Sequence, residues 1–188
     1  MTAIAHRPLI TIADYLAGEE SADCRHDYLA GEVYAMSGAS ARHNIICGNL
    51  FAALHRKLTG GSCQVFMADL KVHLTMMGED YFYYPDLMVA CNPNDKASHY
   101  RDHPSVLVEV MSPTTERTDR REKLFAYREI ASLEEYVLIA QDSQEVVVYR
   151  RQNAWVASRL GVDGVLELKS IDFALSVAEL YVGAASTG

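Results

Sequence analysis

Two stretches of the sequence decide the fold: YFYYPDLMVAC at residues 81–91 and PSVLVEVM at residues 104–111. Both are rich in β-branched and aromatic residues over the length of a strand, so each predicts a strand. Pro104 would open the second strand, where no hydrogen-bond donor is needed. Asp86 and Glu109 interrupt these apolar runs. A carboxylate inside an apolar strand is costly unless it is paired or binds a metal, so both residues are candidates for a site.

The residues before these runs predict a helix and a hairpin. Apolar side chains recur at helical spacing over residues 41–58, and the glycines that follow at Gly60 predict the end of that helix. Residues 25–36 read RHDYLAGEVYAM and predict a β-hairpin that turns at Gly31.

The residues after these runs predict a second helix and further strands. Asp119 and Glu122 have the spacing of a capping box and predict the start of a helix. Residues 134–160 predict three strands, and a short helix is expected near residues 177–181. The whole order predicts an α/β fold with a mixed central β-sheet flanked by helices and additional β-hairpins.

The composition predicts one domain. The chain has 188 residues, of which 49% are apolar and 22% charged. A chain of this length buries roughly 70% of the surface that it exposes when unfolded. We expect a single domain over residues 1–188, with a core at about 40–142 and the strands of residues 143–182 as an extension.

Charge and cysteine usage restrict the classes of function. The net charge of −8 argues against a nonspecific polyanion binder. The four cysteines form no C-x-x-C pair, which predicts reduced, buried thiols in a cytoplasmic protein. Residues 1–10 lack the apolar run of a signal peptide, and no segment has the length and apolarity of a membrane span.

The two strand carboxylates predict a metal centre. On adjacent strands Asp86 and Glu109 would repel each other, and a divalent cation between them would remove the conflict. Their hard oxygen ligands suit Mg²⁺ or Mn²⁺. Lys123 follows on the predicted helix, from which its stem can pack while its ammonium reaches to within about 4–6 Å of both carboxylates. A metal with a lysine beside it would serve phosphodiester hydrolysis.

These residues resemble the PD-(D/E)XK nuclease superfamily, and the wider pattern resembles its Uma-type family of putative restriction endonucleases. The resemblance covers most of residues 14–140 and is carried by DYLAGEVYAMSGASARHN, YYPDLMV, PSVLVEVMSPTTERTDRREKLFAY and LEEYVLI. The superfamily motif has a lysine two residues after the glutamate, where this chain has Met111. The resemblance implies that Lys123 has taken over that role.

The resemblance also implies a function and further site residues. It implies a restriction-endonuclease-like fold that hydrolyses DNA, more often duplex than single-stranded, with Mg²⁺ or Mn²⁺. Asp86 and Glu109 would hold the metal, with the carbonyl of Val110 as a further ligand. His43 would carry a proton or position the substrate. A homodimer is expected, because cutting both strands needs two sites.

A basic segment beside the expected centre is a candidate DNA-binding surface. Residues 117–128 carry five basic side chains against two acidic ones, and Arg117, Arg120 and Arg121 would contact phosphates. The alternative is a solvated helix face with a few salt bridges.

Each candidate residue also has a purely structural interpretation. Asp86 could cap the backbone of a turn, and Glu109 could form a buried ion pair with Lys71 or Lys123. His43 could be a histidine at the edge of the core. The protein as a whole could be a non-catalytic module that keeps a nuclease fold and binds a partner protein or nucleic acid. The acidic net charge and the absent E-x-K lysine favour that alternative.

Overall fold

The computed structural model describes residues 9–36, 38–112 and 115–184. Most of the N-terminal stretch on which the signal-peptide prediction rests lies outside the described residues, as do residue 37, residues 113–114 and residues 185–188. The helices are α1 (Ile12–Glu19), α2 (Ala41–Leu58), α3 (Leu124–Tyr127) and α4 (Val177–Leu180), and a π-helical segment, Thr118–Lys123, leads into α3. The strands are β1 (His26–Leu29), β2 (Glu32–Ala35), β3 (Gln64–Met67), β4 (Lys71–Met76), β5 (Glu79–Tyr83), β6 (Leu87–Ala90), β7 (Tyr100–Arg101), β8 (Pro104–Met111), β9 (Glu135–Ala140), β10 (Val146–Arg150), β11 (Ser158–Leu160), β12 (Val165–Leu168) and β13 (Phe173–Ser176).

The strands form two larger sheets and a two-stranded ribbon. The six-stranded sheet has the order β11-β10-β9-β8-β6-β3, and the five-stranded sheet has the order β2-β1-β5-β4-β7. In the first sheet β8 and β9 run parallel while the other neighbours are antiparallel. Strands β12 and β13 pair with each other. The prediction of an α/β fold with mixed sheets flanked by helices is confirmed.

The six-stranded sheet separates two apolar cores. Side chains alternate along β8, so Val108 and Val110 pack on the side of α2, whereas Leu107 and Met111 pack on the side of α3. The same alternation places Glu109 on the α3 side. A carboxylate therefore lies beside a cluster of aliphatic and aromatic side chains.

Several predicted boundaries are confirmed. Helix α2 has the predicted bounds because the Ser40 side chain accepts a hydrogen bond from the amide of His43, and Gly60 has a φ of 84° just after the last turn. The predicted hairpin is the β1–β2 pair. Its turn residues Ala30 and Gly31 have φ values of 51° and 95°, the left-handed conformation that tight hairpins favour.

The run at residues 81–91 is two strands and not one. Strand β5 belongs to the five-stranded sheet and β6 to the six-stranded sheet. The break falls at Pro85, which has no amide hydrogen to donate within a sheet. Asp86 therefore lies immediately before β6, and the prediction of a mid-strand aspartate is wrong.

The predicted capping box of Asp119 and Glu122 is also wrong. The amide of Asp119 already donates to the carbonyl oxygen of Thr115 at 2.9 Å, so the helix has begun before it. The start is set by Ser112 and Thr115. The Ser112 amide donates to Thr115 Oγ1 at 3.0 Å, and the Thr115 amide donates to Ser112 Oγ at 3.3 Å.

The cysteines differ from the prediction of four reduced, buried thiols. Cys63 and Cys91 form a disulfide across the ends of β3 and β6, whose register pairs Gln64 with Ala90. Cys24 is exposed, and Cys47 is buried. The disulfide weakens the argument from cysteine usage for a cytoplasmic protein. None of the helices in the described ranges is long and apolar enough to cross a lipid bilayer.

Candidate active site

Lys123 lies in a buried ionic cluster on the α3 side of the sheet. Its Nζ donates to Glu109 Oε1 at 2.9 Å and lies 3.4 Å from Asp119 Oδ1. The Tyr127 hydroxyl donates to the same Glu109 oxygen at 3.0 Å. The three charged side chains are at most 7% exposed. Lys123 thus reaches Glu109, a contact that the ion-pair interpretation of Glu109 also predicts. Its predicted approach to Asp86 stays a prediction.

The cluster holds more acids than its lysine can balance. Burial raises the pKa of Glu109 well above its usual value; Lys123 opposes this rise, while the charges of Asp119 and Asp86 add to it. Burial likewise raises the pKa of Asp119 against the attraction of Lys123. Burial by itself lowers the pKa of Lys123, but Glu109, Asp27 and Asp119 outweigh burial and raise it. Burial thus disfavours the charged forms of the two acids, whereas the acids favour the charged form of Lys123.

Asp86 lies beside this cluster, at the start of β6. The register pairs Leu87 of β6 with Val108 of β8, so the next position along each strand places Asp86 across from Glu109. Asp86 Oδ2 accepts a hydrogen bond from the amide of Val110 at 2.6 Å. Asp86 therefore caps one backbone amide, as its structural interpretation predicts, but that amide belongs to β8 and not to a local turn. The carbonyl of Val110 as a metal ligand stays a prediction.

His43 contacts the candidate site through Asp86. Its Nε2 donates to Asp86 Oδ2 at 3.1 Å, and its side chain is 14% exposed. Burial lowers the pKa of His43, but the hydrogen bond and the charge of Asp86 outweigh burial, so the pKa is raised. A histidine in this position can hold or release a proton next to the carboxylates.

The carboxylates of Asp86, Glu109 and Asp119 have the chemistry that a hard divalent cation prefers, but their oxygens do not all lie within 4.8 Å of one another. Asp86 and Glu109 offer carboxylate oxygens from adjacent strands, and Asp119 adds a third acid within electrostatic range of both. A bound cation would favour the charged forms of these acids, which burial disfavours. Which of these oxygens bind a metal stays a prediction.

Comparison with known proteins identifies the family. Residues 12–178 match the Uma2 family, which is described as "Putative restriction endonuclease". The chain belongs to the Uma2 family. This membership supports a nuclease function at the level of the family.

Two curated relatives and one solved structure resemble the chain over most of its length. The uncharacterized protein slr1290 of Synechocystis sp. (strain ATCC 27184 / PCC 6803 / Kazusa) is 33% identical over 181 residues, which is 95% of this chain and 94% of that protein. The uncharacterized protein sll1609 of the same organism is 31% identical, over 85% of this chain and 92% of its own length. The crystal structure of a putative nuclease belonging to DUF820 from Anabaena variabilis ATCC 29413 superposes with a TM-score of 0.76. It covers 94% of this chain and 99% of its own, at 18% identity, and shows the same fold.

The candidate phosphate-binding arginines of this Uma2 chain are partly paired with acids. Arg120 Nε donates to Glu116 at 2.7 Å, and its guanidinium also lies 3.5 Å from Glu145. Arg117 lies 3.7 Å from Glu122. Arg121 is exposed, and no acidic side chain of the described ranges lies within 4.0 Å of its guanidinium. The salt-bridge interpretation therefore suits Arg117 and Arg120 better than Arg121.

Sequence reasoning missed three members of the cluster. Asp119 was interpreted as a helix cap, although its spacing of four residues from Lys123 is that of an ion pair on one helix face. Tyr127 falls on the apolar positions of its helix, and nothing in the sequence indicates that its hydroxyl binds Glu109. Asp27 lies on β1, and its Oδ1 accepts the amide of Tyr84 at 3.1 Å. Nothing in its local sequence pointed to Lys123.

Proposed function

We propose that this Uma2 protein is a Mg²⁺-dependent endonuclease that hydrolyses phosphodiester bonds of duplex DNA and acts as a homodimer. The proposal rests on Lys123, which is buried and donates a hydrogen bond to Glu109 of β8. Asp86 lies across from Glu109, at the start of the neighbouring strand β6. A lysine paired with a strand glutamate, beside an aspartate that precedes the neighbouring strand, is close to the arrangement that the PD-(D/E)XK resemblance implies. The family description supports the reaction class.

Each residue has a role in this proposal. Asp86 and Glu109 hold the cation, with the carbonyl of Val110 as a further ligand. When bound, Mg²⁺ polarises the phosphoryl group and lowers the pKa of a coordinated water. Lys123 donates a hydrogen bond to the phosphoryl oxygens, where negative charge develops. His43, oriented by Asp86, accepts or delivers a proton at its ring nitrogen.

The surface next to the cluster supplies cations for the DNA backbone. Arg117, Arg120 and Arg121 lie on the helical segment that carries Lys123, and in this proposal they contact phosphates on either side of the reacting one. Their contact with DNA would place the scissile phosphate near the carboxylates.

A non-catalytic module is the second candidate, and one observation favours it. Lys123 already satisfies Glu109 without any metal, as a structural ion pair would. A module of this kind would keep the fold and bind a partner protein or nucleic acid without cleaving it.

Binding of Mn²⁺, used as a stand-in for Mg²⁺, separates the two candidates. Asp86→Asn and Glu109→Gln should each abolish the rise in melting temperature that Mn²⁺ gives the parent protein. The metal-free proteins should fold as the parent does, because each change relieves carboxylate repulsion. The matched control is Asp172→Asn, since Asp172 also pairs with a lysine but is 99% exposed. Calorimetry that finds parental Mn²⁺ affinity in either site variant contradicts the assignment, and cleavage of circular duplex DNA tests the activity directly.

A further inference from the structure

His43, Cys47 and Asp86 form a second group of ligand atoms at the edge of the site. One ligand atom from each residue lies within 4.8 Å of the others. Cys47 Sγ is 3.6 Å from His43 Nδ1, and Asp86 Oδ2 is 3.1 Å from His43 Nε2. Within the described residues, this is the one cluster of three or more such side chains with these dimensions. The proposed DNA-cleavage chemistry makes no use of Cys47.

The chemistry of this group differs from that of the carboxylate cluster. A thiolate, an imidazole and a carboxylate are the ligands that zinc takes in tetrahedral sites, whereas Mg²⁺ prefers oxygen alone. We propose that His43, Cys47 and Asp86 bind a borderline-soft divalent cation, Zn²⁺ above all, at a site distinct in its ligands from the Mg²⁺ site. The fourth position of the tetrahedron is left to water.

The spacing of His43 and Cys47 fits zinc. Bonds of about 2.1 Å to nitrogen and about 2.3 Å to sulfur at a tetrahedral angle span about 3.6 Å between the two ligand atoms. The observed separation of His43 Nδ1 and Cys47 Sγ is also 3.6 Å. Asp86 Oδ2 contacts Nε2 on the other side of the ring, so the imidazole must turn before one cation can take all three ligands. His43 and Cys47 are four residues apart on α2 and so share one helix face. Ser40 caps the first turn, which holds His43 in place before any cation arrives.

The same three residues do not suit a cysteine nucleophile. Cys47 is only 3% exposed. Burial raises the pKa of its thiol, and the charges of Asp86 and Glu109 raise it further. A nucleophilic cysteine needs an electropositive, partly exposed environment that favours the thiolate. A bound cation supplies that positive charge itself, and the thiol proton leaves to solvent as the metal–sulfur bond forms.

The site would regulate the proposed nuclease, and this part of the inference rests on the proposed function. Asp86 belongs to both ligand sets and cannot serve both cations fully. Zn²⁺ at His43 and Cys47 would draw Asp86 towards α2 and weaken Mg²⁺ binding. We therefore expect micromolar Zn²⁺ to inhibit cleavage even when Mg²⁺ is in excess.

Cobalt(II) tests the site directly, because Co²⁺ takes the place of Zn²⁺ and absorbs in the near ultraviolet when a thiolate binds it. The oxidised protein is titrated, so that the Cys63–Cys91 disulfide stays closed. The parent should develop thiolate-to-cobalt absorption that Zn²⁺ then displaces. Cys47→Ser should abolish the absorption and lower Zn²⁺ affinity at least tenfold, and Cys47→Ala serves as a second variant if serine disturbs the core.

Cys24→Ser is the matched control. Cys24 Sγ also lies 3.6 Å from a histidine nitrogen, His26 Nε2, but it is exposed. This control should keep the absorption. A parent protein that shows no thiolate absorption with saturating Co²⁺, or absorption that survives Cys47→Ser, overturns the zinc site.

Glu109→Gln separates the zinc site from the proposed function. This variant should lose Mn²⁺ binding and keep Co²⁺ binding through Cys47. If the parent binds Co²⁺ through Cys47 but binds no Mn²⁺, the zinc site stands and the proposed nuclease centre fails. If Mn²⁺ binds through Glu109 and Cys47 contributes nothing to Co²⁺ binding, the reverse holds.

Discussion

Lys123 shows how a single charge can be kept inside a protein core. Moving an ammonium group out of water costs several kcal/mol, and only close opposite charges and hydrogen bonds offset that cost. Glu109 and Asp119 supply these at 2.9 and 3.4 Å. The buried carboxylates therefore depend on Lys123, because its removal would leave them without a counter-charge.

Lys123→Met tests this dependence. The methionine keeps the apolar stem but leaves two buried carboxylates without their cation, so the free energy of unfolding of the metal-free protein should fall by about 3 kcal/mol. Urea unfolding measures it. Lys57→Met is the control, since the partner of Lys57 is 99% exposed, and a loss of less than about 1 kcal/mol is expected. Similar losses in the two variants would contradict the buried pair.

The same variant tests the role in cleavage. If Lys123 stabilises charge on the phosphorane, Lys123→Met should slow DNA cleavage at least tenfold, which corresponds to about 1.4 kcal/mol of transition-state stabilisation. Mn²⁺ affinity should change little. Unchanged cleavage would mean that the role of Lys123 is purely structural.

Glu19 gives a prediction of pH dependence away from the site. Burial alone raises its pKa, but hydrogen bonds from the Tyr84 hydroxyl and from His26 outweigh burial and lower it. A carboxylate with a lowered folded pKa contributes stability at neutral pH, and this stability is lost as the pH falls through the folded pKa.

Glu19→Gln removes that contribution. The variant should be less stable than the parent at pH 7 by about 1–3 kcal/mol, and the difference should shrink below about pH 4. Urea titrations at several pH values measure it. A difference that stays constant down to acidic pH would contradict a stabilising Glu19 charge.

At the scale of elements, the π-helical segment Thr118–Lys123 separates buried charges from exposed ones. Asp119 and Lys123 face the sheet, whereas Arg117 and Arg121 face solvent. Arg120 is held between these positions by Glu116 and Glu145. One short element can thus contribute to a buried cluster and to a basic surface.

The salt dependence of DNA binding tests that surface. Each lysine or arginine that contacts a phosphate adds about one unit to the slope of log affinity against log salt concentration. Arg121→Gln should therefore lower the slope by about one unit, and Arg120→Gln by less, because its acidic neighbours already hold it. The triple variant with Arg117→Gln should flatten the slope furthest. An unchanged slope in the triple variant would place any bound DNA elsewhere.

Sequence patterns predicted the elements that carry their own boundary signals. Helix α2 begins after the Ser40 cap and ends before Gly60, and β8 begins at Pro104, so the bounds of both were predicted. Strands β12 and β13 were not predicted. Their two short runs are joined by a tight turn at Lys169–Ile171 and differ little in hydrophobic pattern from the residues around them. The run at residues 81–91 misled because both of its halves are apolar, and only Pro85 marks the change of sheet.

The candidate site was predictable where a residue stands out within its own segment of sequence. Glu109 stands out in an apolar strand, and Lys123 followed from the resemblance of its segment to a known family. Asp27 approaches Lys123 only through the pairing of distant strands, which no local pattern encodes. The contact of His43 with Asp86 likewise joins residues that lie 43 positions apart.

At the scale of the whole molecule, the candidate site lies where the two larger sheets meet. Strand β5 of one sheet passes into β6 of the other through Tyr84, Pro85 and Asp86. Asp27 from the five-stranded sheet and Glu109 from the six-stranded sheet both act on the pKa of Lys123. The charge balance of the cluster thus depends on how the two sheets are joined.

The Cys63–Cys91 disulfide joins the end of β3, an edge strand of the six-stranded sheet, to the end of its neighbour β6. Cys63 and Cys91 are 28 residues apart in sequence, and closing a loop of that length stabilises a folded protein by about 3–4 kcal/mol in the chain-entropy model. A double Cys63→Ser, Cys91→Ser variant should lose up to that amount in urea unfolding. Cys24→Ser, a change at an exposed thiol, should lose almost nothing. Equal stability of parent and double variant would mean that the bond does not form in solution.

The internal lysine has a consequence for how the protein is made and handled. Because the chain brings its own counter-charge to the buried acids, folding need not wait for an ion from outside. A chelator should inactivate such a protein without unfolding it, and activity should return as soon as the ion is restored. The availability of the ion, and not the synthesis of new chains, would then decide when the protein works.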